Sequence, residues 1–235
     1  MMRGGLAHVA HGARRAARVA SWALAGAIGL SLSGCMALDP SVQASAAALW
    51  PSKAEAAAPP RLNPHFDYLR VTVQGQVLYL ARGYTDTDPA GPVTVWYSSD
   101  REVLRLQRGR LAGLAGTPVA WTHVRGLAQA PVAWPGAESS SWQREVDHMP
   151  GYRWGLRDQL VVRAMAAPVD TALSGWSPQA LQWAEEQDQA GRLPPARYAW
   201  VPGQPEPIYG EQCLHTDFCL TWQRWSAQGA VPTPP

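Results

Sequence analysis

Over residues 68–74 apolar and polar side chains alternate, with Leu69, Val71 and Val73 set against Arg70, Thr72 and Gln74. A repeat of two sends one set to a core and the other to solvent, which predicts a half-buried strand. Gly75 supplies a turn or bulge, and residues 76–82 make the second arm of a hairpin. Residues 85–92 are rich in turn formers and predict a loop. Residues 93–98 predict a third strand with Val93, Val95 and Tyr97 on one face. Ser99 and Asp100 read as a tight turn, and residues 102–111 return as a fourth strand. Sequential strands joined by short connections predict an antiparallel sheet.

Past Leu114 the alternation weakens. Pro118, Pro131, Pro135 and Pro150 interrupt the middle of the chain, leaving short apolar pieces such as residues 119–124. Ser139, Ser140 and Ser141 read as a loop. Residues 160–165, 197–201 and 220–225 predict further strands. One short helix is expected near residues 178–190: Ser177 caps it, Pro178 takes its first turn, and Gly191 stops it. Leu181 and Ala184 would face the core, while Glu185, Glu186 and Asp188 would pair with Arg192 or Arg197 or form a solvated face. The expected fold class is therefore all-β, an antiparallel sheet with one short helix.

The first 34 residues have a different character. Arg3, Arg14, Arg15 and Arg18 precede an apolar stretch over residues 19–32, and no acidic residue occurs among them. A basic head, an apolar body and a small-residue tail make the layout of a secretory signal peptide. The apolar body is too short for a comfortable spanning helix, which needs about 20 apolar residues. The tail Leu32-Ser33-Gly34-Cys35 resembles the lipobox of bacterial lipoproteins. That resemblance implies a diacylglycerol on the Cys35 thiol, cleavage before it and acylation of the new amino terminus. Met36, where an Asp would signal inner-membrane retention in the enterobacterial rule, points to the outer membrane. The chain then divides into a signal peptide (1–34), a lipidated Ala- and Pro-rich tether (35–62), a single mainly β domain (63–228) and a Pro-rich tail (229–235).

Composition changes meaning once the leader is removed. The whole chain has 20 Lys+Arg and 18 Asp+Glu; without the four leader arginines, 16 basic residues face 18 acidic ones, a formal charge of −2. The basic balance thus belongs to the leader, and nucleic-acid binding is not expected. Eleven of the 12 Trp remain after Trp22 is lost, a high load for this length. Trp brings large buried area and an N–H that needs a partner, so the load suits core packing or a sugar-stacking surface. With Cys35 lipidated, Cys213 and Cys219 are left as an even pair in an oxidising compartment. Their spacing fits neither a C-x-x-C redox motif nor a zinc site, and a structural disulfide is expected. His215 and Asp217, inside that ring, read as ordinary loop residues.

Catalytic motifs are missing from the sequence: no Gly-x-Ser-x-Gly, His-Glu-x-x-His, P-loop or Gly-x-Gly-x-x-Gly occurs. Asp86 and Asp88 sit among turn formers, and His65, His123 and His148 lack metal-ligand spacing. The chain is read as a non-enzyme without metal or cofactor.

Residues 68–124 resemble the YjbF/GfcB family of lipoproteins encoded in capsule and exopolysaccharide operons. The likeness rests on Tyr68-Leu69-Arg70-Val71 with Gly75, on Val95-Trp96-Tyr97-Ser98-Ser99-Asp100, and on Gly109-Arg110-Leu111 with Gly113-Leu114. It implies a barrel-like antiparallel β fold and service in surface polysaccharide production or export. It also implies outer-membrane and periplasmic protein partners from the same operon, with a location on the periplasmic face of the outer membrane. Arg110 could be buried and paired, or could meet an anionic sugar or a partner; Trp96, at a sheet position, is read as core with binding as the alternative. Two functions follow: an accessory acting through protein contacts, or a carbohydrate-binding lipoprotein using exposed Trp and Arg.

Overall fold

The computed structural model describes residues 61–131, 136 and 138–230. Cys35, the signal peptide, most of the tether and the last five residues lie outside the described residues. Thirteen strands follow in chain order: β1 (Tyr68–Val73), β2 (Gln76–Asp86), β3 (Val93–Tyr97), β4 (Val103–Gln107), β5 (Arg110–Ala115), β6 (Ala120–Arg125), β7 (Ser140–Met149), β8 (Arg153–Met165), β9 (Gln182–Asp188), β10 (Ala196–Trp200), β11 (Tyr209–His215), β12 (Phe218–Ser226) and β13 (Gly229–Ala230). Each strand pairs antiparallel with the next, and β12 pairs back onto β1 from Tyr68↔Trp225 to Val73↔Leu220. The first twelve strands therefore close into an up-and-down barrel, and β13 extends the edge of β12 beyond β11. Closure leaves no long unpaired edge to recruit another chain.

The alternation read over β1 holds. Leu69 and Val71 point inward beside Leu80 and Leu78 of β2, while Arg70 faces out opposite Tyr79. β2 runs on to Asp86, through a bulge between Arg82 and Thr85, so part of the expected loop is strand. The single strand expected over residues 102–111 is a hairpin, because Arg108 and Gly109 take left-handed backbone conformations and turn the chain between β4 and β5. Ser140 and Ser141, read as loop, begin β7 and pair with Val162 and Val161. Gly229 and Ala230, assigned to the tail, form β13.

The expected helix near residues 178–190 does not form. Pro178–Ala180 make a single 3-10 turn, Ser177 makes no side-chain cap bond to the backbone, and β9 begins at Gln182. The helix-start signals are satisfied by that one turn, after which β8 and β10 claim both edges of the segment. Ala184, Glu186 and Asp188 then share the inward face, so two of the three acidic residues are buried, Asp188 in the expected pair with Arg192, while Glu185 faces outward. Tertiary pairing overrides local propensity here.

A barrel of this strand number has a wider lumen than an eight-stranded one, and large side chains fill it. Trp96, Trp121, Trp142, Trp200, Trp222 and Tyr198 share one core with Leu69, Leu80, Leu104, Leu111, Leu160 and Leu220. Gly210 exists to make this possible. A Cβ there would collide with the Trp222 indole, which packs edge-on to Tyr198 across it. A second core lies outside the wall, where the long connection over residues 166–181 straps across β9, β10 and β11. Leu173 and Trp176 pack there against Trp183, Ala199 and Tyr209. The strap is pinned by Gln223, which exchanges two hydrogen bonds with the Ser174 backbone, by Arg70 donating to the Ala172 carbonyl, and by Arg197 donating to that of Asp170.

The topology sorts the turns between two ends. At the end where the chain enters β1 lie the longer connections, including the strap and the segment between β6 and β7. The far end carries the turns after β1, β3, β5, β7, β9 and β11.

Candidate functional site

Gly109 sits at φ +74° under the ring of Pro207, which a Cβ would strike. This close approach seats the start of β5 and sends the Arg110 side chain into the barrel, where only 1% of the residue is exposed. Arg110 Nε donates to Glu186 Oε2 at 3.2 Å, its Nη1 donates to the Pro131 carbonyl at 2.6 Å, and its guanidinium lies 5.2 Å from the Tyr198 ring centre. Trp142 Nε1 donates to the same Glu186 oxygen at 3.1 Å. On the other side of Glu186, Arg144 approaches Oε1 at 4.0 Å, donates to Asp158 Oδ2 at 2.6 Å and stacks 4.5 Å over Trp121. Arg192 completes the chain by donating to Asp158 Oδ1 at 2.7 Å and to Asp188 Oδ2 at 2.9 Å.

Six charges thus alternate in sign from Arg110 through Glu186, Arg144, Asp158 and Arg192 to Asp188, and they sum to zero. Neutrality and near-complete hydrogen bonding are what make such burial tolerable. Burial works to raise the Asp188 pKa, yet hydrogen bonds from Arg192 and the backbone amides of Ala190 and Arg192 prevail and hold it below the ordinary value. Burial, followed by the Glu186 charge, pushes the Tyr198 phenol well above its usual range, so it stays neutral. The arrangement ties β5, β7, β8 and β9 together and presents no activated nucleophile. Among the described residues no group of three or more His, Cys, Asp or Glu could hold a metal ion.

The outer wall has the opposite polarity. Arg125, Glu145 and Arg157 stand in register across β6, β7 and β8, and Glu145 pairs with both arginines. Arg125 also grips Asp147 with two hydrogen bonds at 2.8 and 2.9 Å, holding its carboxyl below the usual range with help from the Gly155 amide. A second row runs Arg163, Glu185, Arg197 and Glu211 across β8 to β11, with Arg163–Glu185 and Arg197–Glu211 ion pairs. A lipid-facing barrel wall carries an apolar band, and each Arg or Lys at its midplane costs about 2–4 kcal/mol. Two charge ladders on the outside and leucines and indoles on the inside are the reverse of that pattern.

Cys213 and Cys219 are bonded to each other as direct cross-strand partners in β11 and β12. Arg110 is structural, and Trp96 is buried at 7% exposure, so neither offers a surface contact. Trp96 lines a cleft of about 50 Å³ at the entry end with Trp222, Arg108, Pro207 and Arg224. Sugar stacking needs several exposed Trp on one face, yet Trp142 and Trp183 are buried and Trp176, on the strap itself, is half-buried against the wall, while Trp154 is exposed. A row of Trp on one face does not exist among the described residues. Not legible in the sequence are the burial of Glu186 with Arg110 and the place of Asp158 beside Arg144; only the Asp188–Arg192 pair is among the expected ones. The signal that could have shown the burial is the two-residue spacing of Ala184, Glu186 and Asp188, continuing the alternation of a strand.

A solved structure supplies a match for this barrel. The crystal structure of the hypothetical lipoprotein YmcC from Escherichia coli (K12) superposes with a TM-score of 0.53, at 15% sequence identity, over 83% of this chain and 97% of that one. The two share a fold. At this identity the likeness concerns architecture alone. No protein-family model matches the chain, and no curated protein is similar to it.

Proposed function

We propose that this chain is a lipid-anchored periplasmic accessory of surface polysaccharide production or export, acting through contacts with outer-membrane and periplasmic proteins. The observation that carries the reading is the polarity of the barrel: charge ladders outside and a filled lumen inside. Such a barrel suits an aqueous compartment beside a membrane, and its packed interior suits neither a pore nor a carrier of a large ligand. The lipobox at Cys35 supplies the attachment, and two or three acyl chains make it effectively permanent, since a single chain binds only marginally. The fold shared with a protein described as a lipoprotein agrees with this. The polysaccharide role draws its support from the resemblance of residues 68–124 to the YjbF/GfcB family.

A deletion strain tests the role. Loss of the gene should lower the amount of surface polysaccharide or strand it inside the envelope, and complementation should restore it. Polysaccharide unchanged in amount and location would contradict the proposal.

A further inference from the structure

Tyr152 and Trp154, at the turn joining β7 to β8, are the most exposed aromatic residues described, at 72% and 59%. They project from the end of the barrel opposite the one where the chain enters. Their ring centres lie 6.5 Å apart with the planes tilted by 54°, so the two rings are neighbours whose faces stand at an angle. They are the only exposed large apolar side chains on β7, β8 or the turn between them.

The backbone makes Tyr152 harder to explain as structure. Its φ is +50°, in the left-handed region that a bulky aromatic residue rarely adopts and that glycine takes at no steric cost. A side chain that strains its backbone and stays mostly in water does little for stability. Gln74, Arg101 and Arg108 take the same conformation at other turns, so the backbone belongs to the turn; what sets Tyr152 apart is a large exposed ring at such a position.

The surroundings select the ligand. Protein hot spots set aromatic anchors within a packed apolar patch, and no large aliphatic side chain of β7, β8 or their turn is exposed beside this pair. Behind it, on β6, β7 and β8, stand planar hydrogen-bonding groups instead: Arg125, Glu145, Asp147 and Arg157. Next to Trp154, the Gly155 amide donates to Asp147 at 2.8 Å. Between the rings in sequence, Arg153 is tied back to His148 at 3.0 Å. Apolar ring faces beside planar charged side chains match the two surfaces of a pyranose, its C–H face and its hydroxyl rim. We propose that the Tyr152–Trp154 pair is a glycan-stacking platform that takes sugar residues of a polysaccharide chain. It rests on the proposed function only for the source of that glycan; the binding itself is measurable without it.

The test is affinity electrophoresis of the detergent-solubilised mature protein through native gels containing dextran, xylan or alginate, covering neutral and anionic sugars. The expected result is retardation in at least one gel, with half-retardation needing at least tenfold more polysaccharide for Trp154→Ala and Tyr152→Gly, while Trp154→Phe stays near wild type. Tyr152→Gly should also keep or raise the melting temperature, which separates lost binding from lost folding. Absence of retardation in all three gels overturns the proposal and leaves the pair to a protein partner. Retardation that survives both substitutions, or a Tyr152→Gly protein that melts lower, also overturns it. Because these gels need no cell, their outcome is separable from that of the deletion strain.

Discussion

Replacing Glu186 by Leu removes the acceptor on which Arg110 and Trp142 converge and the carboxylate that Arg144 faces. The residue is 3% exposed, so water cannot take its place without opening the barrel. Breaking a buried ion pair by deleting one partner costs about 3–5 kcal/mol, chiefly because the other charge is left uncompensated. The orphaned Trp142 N–H is part of the same loss and adds within that range rather than on top of it. A working figure of about 4 kcal/mol corresponds to a fall in Tm of roughly 8–16 °C for a domain of this size. The second variant, Arg110→Met with Glu186→Leu, removes both charges; it leaves the buried indole unpaired, which costs about 1–3 kcal/mol, and takes the donor from the half-buried Pro131 carbonyl. It should therefore be more stable than Glu186→Leu alone. Urea unfolding followed by tryptophan fluorescence, run on wild type, both single variants and the double, gives the cycle, with an expected coupling of about 2 kcal/mol. A loss below about 1 kcal/mol for Glu186→Leu, or purely additive effects, would refute the claim that the network holds the barrel wall together.

Two further outcomes follow from single features. Reducing the Cys213–Cys219 bond, or replacing both residues by Ser, should cost about 2 kcal/mol, because the closed loop is short and constrains the unfolded chain only modestly; denaturation with and without reductant measures it. His148 is 4% exposed, and burial, then the Arg153 charge, hold its pKa below the ordinary value; His215 adds to this, while the Pro150 and Leu214 carbonyls oppose it. Its neutral form is the one the fold keeps. Stability from this group is thus fully present above about pH 6.5, the unfolded value. It falls as the pH drops toward the folded value, with a slope of at most about 1.4 kcal/mol per pH unit. His148→Gln should flatten that part of the stability profile between pH 7 and 5, and an unchanged slope would exclude His148 as its source.

The barrel was legible wherever one face meets a core and the other meets water. β1 alternates cleanly; β3 and β12 stand where the pattern predicts strands, but each buries side chains on both faces, and in β3 it is Trp96, not the Val93, Val95 and Tyr97 face, that joins the lumen core. The hairpin between β4 and β5 was hidden because Gln107 and Arg110, both buried, frame Arg108 and Gly109 with polar letters that carry no inward signal. β9 reads as helix for a related reason: Asp188 has its partner Arg192 only four residues on, but Glu186 looks solvent-facing until Arg110 and Arg144 arrive from distant strands. Partners 76 positions apart, as Arg110 and Glu186 are, cannot be matched from local pattern. The tryptophan load resolves the same way. The choice between core and sugar surface depended on strand number, since a lumen this wide needs indoles to fill it, and only closure of β12 on β1 reveals that. The disulfide pair is legible because reading Cys35 as part of a lipobox leaves Cys213 and Cys219 as an even pair.

Attachment through Cys35 underlies every statement about place and role, and cell fractionation tests it most directly. Wild-type protein should fractionate with the membrane, its amino-terminal peptide beginning at Cys35 and carrying the mass of a diacylglycerol and an acyl chain. The Cys35→Ser protein should lose that mass and leave the membrane fraction. A Cys35→Ser protein that stays with the membrane, or a wild-type peptide with no lipid mass, would contradict the anchor.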